Sequence, residues 1–342
     1  MRLCFSNRLS HSHSGWPLKV CKFFLEFFIA FFRNLDLICH ESAIVASLDQ
    51  LSLTLSIIIV SFNTKEKLRK CLSCLNLERY DVIVVDNASS DGSSDMVKSE
   101  FPGVQLIENE SNVGFGKANN QGIDGAKNEL ILFLNSDAYA QPGAIEKLIE
   151  VFQDQSVIAA GGKLLNPDGS LQESVAAQLT LDKVFLEQTF LDAMARRFGR
   201  GYWRTALGQS EPVTAVNQVM GACIMVRRSA DERFDERYFL YCEDTDLCLR
   251  LARKGQILYV RDAEVVHELG SSSVDSRWKA VARYNLGKET YFRIHHGAIA
   301  GSVCWLLNRF GAFLRILSGI VRPEKAKIFW RVLWARSSEL GK

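Results

Sequence analysis

The chain has 342 residues, a hydrophobic fraction of 47% and a formal net charge of +2. This length suits one large α/β domain with appendages, and the apolar fraction is high enough for a packed core, which argues against a disordered chain. A net charge so close to zero gives no electrostatic field that would favour nucleic acid as a partner. The nine cysteines lack metal-type spacing, which indicates reduced, mostly buried thiols in a cytosolic protein.

The N-terminal extension, residues 1–53, differs in composition from the rest. Its Phe-rich stretch, Phe23–Phe32, contains Glu26 and is shorter than the ~20 apolar residues that span a bilayer. We predict that the extension lies on a membrane surface or is dispensable. Basic residues ahead of the stretch leave a signal peptide as the alternative.

From Leu55 onward, short apolar runs alternate with amphipathic stretches, a pattern typical of a mostly parallel sheet with crossover helices. Strands are predicted at Leu55–Val60, Asp81–Val85, Val104–Ile107 and Leu130–Leu134. Helices are predicted at Thr64–Leu77, Asp91–Glu100, Gly116–Ala126 and Pro142–Phe152. The pattern predicts an α/β fold whose second half, beyond a glycine-rich turn at 161–170, is less regular.

Polar residues follow the first two predicted strands. Ser61 and Asn63 come after the first strand, and Asp86 and Asn87 come after the second. The carboxyl ends of parallel strands share one sheet edge, where open α/β sheets bind ligands. These side chains are therefore predicted to line a nucleoside pocket in which Asp86 accepts from a base or ribose. Asp91 is expected to cap the helix that follows.

A glycine-containing turn opens the third predicted helix. Its backbone amides around Gly114 and the side chain of Lys117 are placed to approach phosphate or sugar. The turn lacks the G-K-[ST] of a Walker A loop and the third glycine of a dinucleotide fingerprint. This disfavours kinases and dehydrogenases.

The fourth predicted strand runs directly into Asn135, Ser136 and Asp137. The resulting oxygen ligands suit Mg²⁺ or Mn²⁺ bound to a diphosphate. The alternative is that Asp137 caps the helix predicted to begin near Pro142. A later apolar run ends at His267, and this position at a strand end favours a metal role for the imidazole.

An acidic cluster, Glu243 to Asp246, follows the aromatic stretch 238–241. The helix macrodipole explains part of it, and Asp246 with Arg250 has the spacing of an i,i+4 ion pair. A carboxyl group beside aromatic side chains is also how a general base gains a raised pKa. The cluster is therefore the candidate source of a base.

The C-terminal region, residues 298–342, is apolar at first and then basic. Asn308, Arg315 and Arg322 recur at heptad spacing on one helical face, a pattern that indicates an interfacial helix rather than a spanning one. Basic and aromatic residues alternate beyond it, which suits an anionic membrane surface. We predict amphipathic membrane-associating helices; a helix pair packed on its own domain is the alternative.

Taken together, the ordered motifs resemble the inverting, A-fold (GT-A) family-2 glycosyltransferases. The segments that carry the resemblance are Ile57–Asn63, Val84–Gly92, Asn112–Gly116, Leu134–Asp137, Glu243–Leu247 and His267. The chain looks most like bacterial rhamnosyltransferases of cell-envelope polysaccharide assembly, partly through 285–288 and 291–297. The resemblance implies a single Rossmann-like domain, with a mostly parallel sheet, over residues 54–297.

The resemblance also implies a role for each motif residue. Asp137 would bind the divalent metal that bridges the donor diphosphate, and His267 would complete the shell of that metal. Asp244 would be the base, deprotonating an acceptor hydroxyl that attacks the anomeric carbon in line. The residues expected on the donor side are Ser61, Asn63, Asp86, Asn87, Gly114, Lys117 and Asn135. Those expected on the acceptor side are Glu243, Gly221 and Ala222.

One position departs from the family pattern. The metal motif often reads Asp-x-Asp, and Asn135 stands here at its first position. The amide would then contact the sugar or ribose rather than supply a charge.

The implied reaction is transfer of L-rhamnose from a dTDP donor to a polyprenyl-diphosphate-linked saccharide at the cytoplasmic face of the bacterial inner membrane, with Mg²⁺ or Mn²⁺ as cofactor. One alternative is transfer of another hexose, such as galactofuranose or glucose, from a UDP donor. A second is a sugar-nucleotide nucleotidyltransferase, which would need a glycine-rich loop after the first strand. A third is a catalytically silent membrane-bound partner.

Overall fold

The computed structural model of the protein describes residues 53–192, 198, 203–204, 211–228, 233–268, 277–319 and 323–340. The N-terminal extension lies outside the described residues except for Leu53, so the predictions for it stay predictions.

The strands are numbered in chain order. They are β1 (Leu55–Ser61), β2 (Asp81–Asp86), β3 (Gln105–Glu108), β4 (Leu130–Leu134), β5 (Ala138–Ala140), β6 (Val157–Leu165), β7 (Val175–Ala176), β8 (Trp203–Arg204), β9 (Val213–Ala215), β10 (Gln218–Val219), β11 (Cys223–Arg227) and β12 (Gln256–His267).

The helices are numbered in the same way. They are α1 (Lys65–Ser73), α2 (Ser93–Glu100), α3 (Phe115–Gly125), α4 (Ala144–Val151), α5 (Leu181–Gln188), α6 (Glu243–Leu251), α7 (Arg277–Ser318) and α8 (Pro323–Trp334). A short 3₁₀ helix, Ser337–Glu339, follows α8.

The central sheet has nine strands in the order β3-β2-β1-β4-β11-β6-β12-β5, with β9 beside β12. Strands β1, β2, β3, β4, β6 and β12 run in one direction, and β5, β9 and β11 run against them. Strands β10, β7 and β8 form a small antiparallel sheet. The predicted α/β class with a mostly parallel sheet is confirmed.

Strand β1 is buried on both faces of the sheet, as its unbroken apolar sequence predicts. Ile57 and Ile59 pack in the core under α1, α2 and α4, whereas Ile58 packs in the core under α3 and α6. Helices therefore cover both faces.

Strand β4 pairs with β1 on the side opposite β2, so the direction of the strand order reverses between β1 and β4. Helices α1 and α2 lie over one face and α3 over the other. Ligands of open α/β sheets bind at the carboxyl ends of the strands at such a reversal. This edge carries Ser61 at the end of β1 and the Asn135–Asp137 segment after β4.

The long C-terminal helix packs one polar stripe on the protein. Helix α7 is interrupted at Gly297 (φ 86°, ψ 173°), and Asn308 on its second arm is buried and donates to Glu289 at 2.9 Å. Arg315 donates to the carbonyl oxygens of Gln188 and Glu187 in α5 at 3.2 and 3.0 Å. The stripe of Asn308 and Arg315 therefore packs on the protein itself, and membrane association of residues 298–342 stays a prediction.

By length and composition alone, α7 is apolar enough to cross a membrane, with a mean hydropathy of 1.3 in its most apolar window, of which 28% is buried. The apolar side of the second arm is the exposed one, in contrast to the stripe of Asn308 and Arg315. Arg322 lies outside the described residues.

Candidate active site

The loops after β1 and β2 are tied together by Asn63. Its side-chain Oδ1 accepts the backbone N–H of Ser90 at 2.8 Å, and its backbone N–H donates to the hydroxyl of Ser89 at 2.9 Å. Asn63 has a positive φ of 54°, a conformation that asparagine adopts more readily than most residues. Ser61 is wholly buried, with its Oγ 3.0 Å from that of Thr64. These bonds fix the two loops that form one wall of the predicted nucleoside pocket.

Asp86 is the strongest candidate for ligand contact in this wall. Its Oδ2 accepts the N–H of Ser89 at 2.9 Å, but its buried Oδ1 has no hydrogen-bond partner among the described residues. A buried acceptor without a partner is costly and calls for a ligand or water. The side-chain amide of Asn87 is instead bonded within the protein, because it donates to the carbonyl oxygen of Gly114 at 3.2 Å.

Asp91 lies two residues before α2, whose N-cap position is Gly92 rather than the predicted Asp91, but its carboxylate still bonds the first residue of the helix. Its Oδ1 accepts the N–H of Ser93 at 3.0 Å, and its Oδ2 accepts the N–H of Lys65 at the start of α1 at 2.8 Å. Burial raises the pKa of Asp91, but the bonds from Ser93 and Lys65 outweigh it and hold that pKa below its ordinary value.

The glycine turn before α3 is held against a loop that the sequence analysis did not connect with it. Gly114 has a φ of +93°, and a Cβ on it would lie 2.7 Å from the carbonyl oxygen of Phe239. The same oxygen accepts the N–H of Phe115 at 2.9 Å. Lys117, in the first turn of α3, is exposed. The turn therefore requires glycine, and Lys117 is free of the core to reach a ligand.

Pairing between β5 and β12 assembles the predicted metal ligands. It places Ala138 opposite His267, so that Nε2 of His267 lies 3.4 Å from Oδ1 of Asp137. The side-chain nitrogen of Asn135 is 3.4 Å from the same Nε2, and its buried Oδ1 has no partner among the described residues. The alternative that Asp137 caps α4 is wrong, because β5 intervenes and Gly143 precedes that helix with a φ of 78°.

A carboxylate, an imidazole and an amide oxygen at one sheet edge fit a divalent cation such as Mg²⁺ or Mn²⁺. No group of three or more His, Cys, Asp or Glu side chains suited to a metal occurs in the part of the chain that the structure describes. Asn135 stands at the position where the family motif often has a carboxylate. Sequence reasoning missed Gln172, whose Oε1 lies 2.7 Å from Nδ1 of His267. The turn that brings Gln172 to this edge of the sheet has no recognisable motif.

Asp244 lies at the start of α6 with its carboxylate fixed by two backbone donors. The N–H of Gly221 donates to its Oδ2 at 3.0 Å, and the N–H of Thr245 donates to its Oδ1 at 2.8 Å. Ala222, which follows Gly221, accepts the backbone N–H of Asn135 through its carbonyl oxygen at 3.0 Å. The structure thus brings Gly221, Ala222 and the predicted base beside the predicted metal ligands.

Glu243 and Asp244 share one buried, acidic environment. Burial, aided by the charge of Asp244, raises the pKa of Glu243 to about 8. Burial also raises the pKa of Asp244, but the backbone bonds from Gly221 and Thr245 oppose the shift. Burial therefore favours the protonated form of both carboxyl groups, and the backbone donors favour the ionised form of Asp244.

The third acid of the cluster, Asp246, has a structural role. Asp246 is almost fully buried, accepts from Nε of Arg250 at 2.9 Å as predicted, and lies 2.7 Å from Nε2 of His295 in α7. It links α6 to α7 rather than facing a ligand. Tyr241 and Cys242, just before α6, both have positive φ values, 75° and 69°. Such strain in side-chain-bearing residues clusters at functional sites.

The sequence model of the family described as "Glycosyl transferase family 2" matches residues 56–234. The chain belongs to this family. The match contains Ser61, Asp86 and the Asn135–Asp137 segment, and it confirms the enzyme class expected from the resemblance. Family membership also decides against the nucleotidyltransferase alternative.

Two similar proteins show how far the likeness extends. The N-acetylglucosaminyl-diphospho-decaprenol L-rhamnosyltransferase of Mycobacterium tuberculosis is 29% identical over 302 residues, which cover 80% of this chain and 96% of that protein. The low-salt glycan biosynthesis hexosyltransferase Agl10 of Haloferax volcanii is 25% identical over 229 residues, 65% of this chain and 68% of that protein.

Among solved structures, the mannosyltransferase PcManGT from Pyrobaculum calidifontis in complex with GDP-Man and Mn²⁺ is 14% identical, with a TM-score of 0.49. The match covers 84% of this chain and 75% of that one.

Proposed function

We propose that this glycosyltransferase transfers L-rhamnose, with inversion, from dTDP-rhamnose to a polyprenyl-diphosphate-linked saccharide. The observation that carries the proposal is the similarity to a decaprenol-linked rhamnosyltransferase along 80% of this chain and 96% of that protein. This similarity extends beyond residues 56–234, which the family model matches. It therefore supports a common acceptor class as well as a common fold. The roles of the individual residues rest on the geometry of the site.

The donor nucleoside binds between the loops after β1 and β2, where the unpaired Oδ1 of Asp86 accepts from its base or ribose. Asp137 and His267 hold a divalent cation, Mg²⁺ or Mn²⁺, with Asn135 beside them. The cation, when bound, supplies positive charge to the departing nucleoside diphosphate.

Asp244 takes the proton from the acceptor hydroxyl. The hydroxyl oxygen then forms a bond to the anomeric carbon while the bond from that carbon to the diphosphate breaks on the opposite face. Gly221 and Thr245 keep the carboxylate oriented, and Glu243, whose pKa burial raises to about 8, lines the acceptor side.

The decisive experiment is a donor panel with a polyprenyl-diphosphate-linked N-acetylglucosamine acceptor and Mg²⁺ or Mn²⁺, measuring release of nucleoside diphosphate. We expect dTDP-rhamnose to give the highest rate. Asp244→Asn should lose most of the rate while still binding nucleotide, whereas Asp182→Asn, an exposed acid in the first turn of α5, should not. A faster reaction with a UDP-hexose refutes the rhamnose proposal, and full activity of Asp244→Asn refutes the base.

We further propose that the protein binds the cytoplasmic face of the inner membrane peripherally, through the exposed side of the second arm of α7. Apolar residues there alternate at spacings of four and three and are between 39% and 83% exposed. They are Ile299, Val303, Leu306, Phe310, Phe313 and Leu317. Trp330 and Trp334 of α8 are also exposed, and basic residues accompany them, which supports a lipid headgroup region as the partner.

Flotation with vesicles rich in phosphatidylglycerol tests the membrane proposal. We expect Leu306→Glu to abolish flotation and Val213→Glu, at an exposed apolar position of β9, to leave it unchanged. Resistance of the wild type to carbonate extraction would contradict peripheral binding. Loss of a dimer in Leu306→Glu, with no flotation of the wild type, would assign the stripe to a second copy of the chain.

A further inference from the structure

Gln172 is a buried glutamine whose side-chain oxygen and nitrogen both contact His267. Its Oε1 lies 2.7 Å from Nδ1 of the imidazole, and its Nε2 donates to the backbone carbonyl oxygen of the same histidine at 3.0 Å. A third bond runs from Nε2 to Oδ1 of Asn166 at 2.9 Å. Gln172 is 4% exposed and His267 is 5% exposed, so water does not compete for these bonds.

The surroundings determine which way the amide of Gln172 points. A carbonyl oxygen only accepts, so the amide atom facing the backbone oxygen of His267 must be the nitrogen. Asn166 is oriented in the same sense, because the atom that faces the carbonyl oxygen of Leu171 at 3.4 Å must be its nitrogen, which leaves Oδ1 facing Gln172. Oε1 of Gln172 therefore faces the imidazole, and Nδ1 must carry the proton that it accepts.

We propose that Gln172 is a positioning residue that holds His267 in the Nδ1–H tautomer, so that Nε2 offers a lone pair to the divalent cation. This inference rests on the proposed metal role of His267. A ring nitrogen that binds a metal must be unprotonated, and a bond from the other nitrogen fixes both the tautomer and the ring plane.

The position of Asp137 shows why such a device is needed. Its Oδ1 lies 3.4 Å from Nε2 of His267, so in the opposite tautomer a proton on Nε2 would point at this carboxylate. That proton would block the lone pair of Nε2 and would also bond the carboxylate of Asp137. By accepting from Nδ1, Gln172 favours the tautomer that leaves Nε2 as an electron-pair donor, which the side-chain nitrogen of Asn135 also faces at 3.4 Å.

The test uses the full chain without metal and then with Mn²⁺. Long-range ¹H–¹⁵N NMR on the metal-free protein reports the tautomer of His267, identified by its loss in His267→Ala. We expect Nδ1–H in the wild type and a shift toward Nε2–H in Gln172→Met. Electron paramagnetic resonance of free Mn²⁺ should show about 10- to 100-fold weaker binding in Gln172→Met, the range found when a hydrogen-bond partner of a metal ligand is removed.

Gln188→Met is the matched control, because Gln188 is also 4% exposed but bonds to Asn308 and Arg315 instead. It should change neither the tautomer nor Mn²⁺ affinity. An Nε2–H tautomer in the wild type overturns the inference even if Gln172→Met fails to fold. Unchanged Mn²⁺ affinity in Gln172→Met overturns it too, provided that His267→Ala binds more weakly; unchanged affinity in His267→Ala would instead refute the metal role itself.

Discussion

The backbone N–H of Gly221 donates to Oδ2 of Asp244 at 3.0 Å, which joins the start of β11 to the start of α6. Because Ala222 in turn accepts from the N–H of Asn135, the proposed base and the proposed metal-binding segment are separated by one short stretch of backbone. The position of Asp244 therefore depends on a residue that has no side chain.

Gly221→Ala should lower kcat about tenfold while the affinity for nucleotide is unchanged. A Cβ at this position would lie 3.1 Å from both Oδ2 and Cβ of Asp244, so the carboxylate must move away from its donor. Misplacement of a reacting group by a fraction of an ångström suffices for such a loss. Steady-state kinetics against Gly103→Ala, where nothing lies within 4 Å of the added Cβ, provides the comparison. Equal kcat values would show that the Gly221 bond does not orient the base.

Gly114→Ala should raise the KM for the donor and reduce the free energy of unfolding by about 1–3 kcal/mol, the usual cost of a strained backbone conformation. Its φ of +93° and the 2.7 Å approach of a Cβ to the oxygen of Phe239 both oppose a side chain. Donor titrations and urea unfolding measure the two effects. A variant with wild-type stability and KM would mean that the turn relaxes without cost.

Asn135→Asp should tighten Mn²⁺ binding, because the buried Oδ1 without a partner would become part of a carboxylate facing His267 and Asp137. We expect a gain of about tenfold, the equivalent of roughly 1.4 kcal/mol for one added charged ligand. Calorimetric titration with Mn²⁺ measures it, and Asn135→Leu serves as the uncharged comparison. Weaker binding in Asn135→Asp than in the wild type would place Asn135 outside the metal shell.

The stability of the protein should fall as pH rises from about 4.5 toward 8, because burial raises the pKa of Glu243 from 4.5 to about 8 in the folded chain. Over this interval the folded chain holds a proton that the unfolded chain releases, so the free energy of unfolding decreases with pH and then levels off. In Glu243→Gln this decrease, of the order of a few kcal/mol, should be absent.

Urea unfolding at a series of pH values checks the result for Glu243. Asp244→Asn is the informative companion, since the charge of Asp244 contributes to the raised pKa of Glu243 and its removal should narrow the pH interval. A wild type and a Glu243→Gln variant with parallel pH profiles would contradict the assignment.

Much of the fold is readable in the sequence because local rules decide it. The unbroken apolar run at β1 requires burial on both faces, and the alternation with helices requires crossover connections. Helix ends are less well determined: α1 ends at Ser73 rather than Leu77, and α4 begins at Ala144 rather than Pro142. These boundaries depend on caps and on the neighbouring strand β5, which the local pattern does not contain.

By itself, the sequence determined that polar residues end successive strands and that Asp137, Asp244 and His267 are candidates for chemistry. The tertiary structure alone decided that Gln172 reaches His267, that Asp246 bonds His295 and that Asn308 and Arg315 face inward. These contacts join segments far apart in the chain, and their partners follow from sheet register and helix packing. Periodicity reports that a helix has two faces, but only packing decides which of them meets the protein.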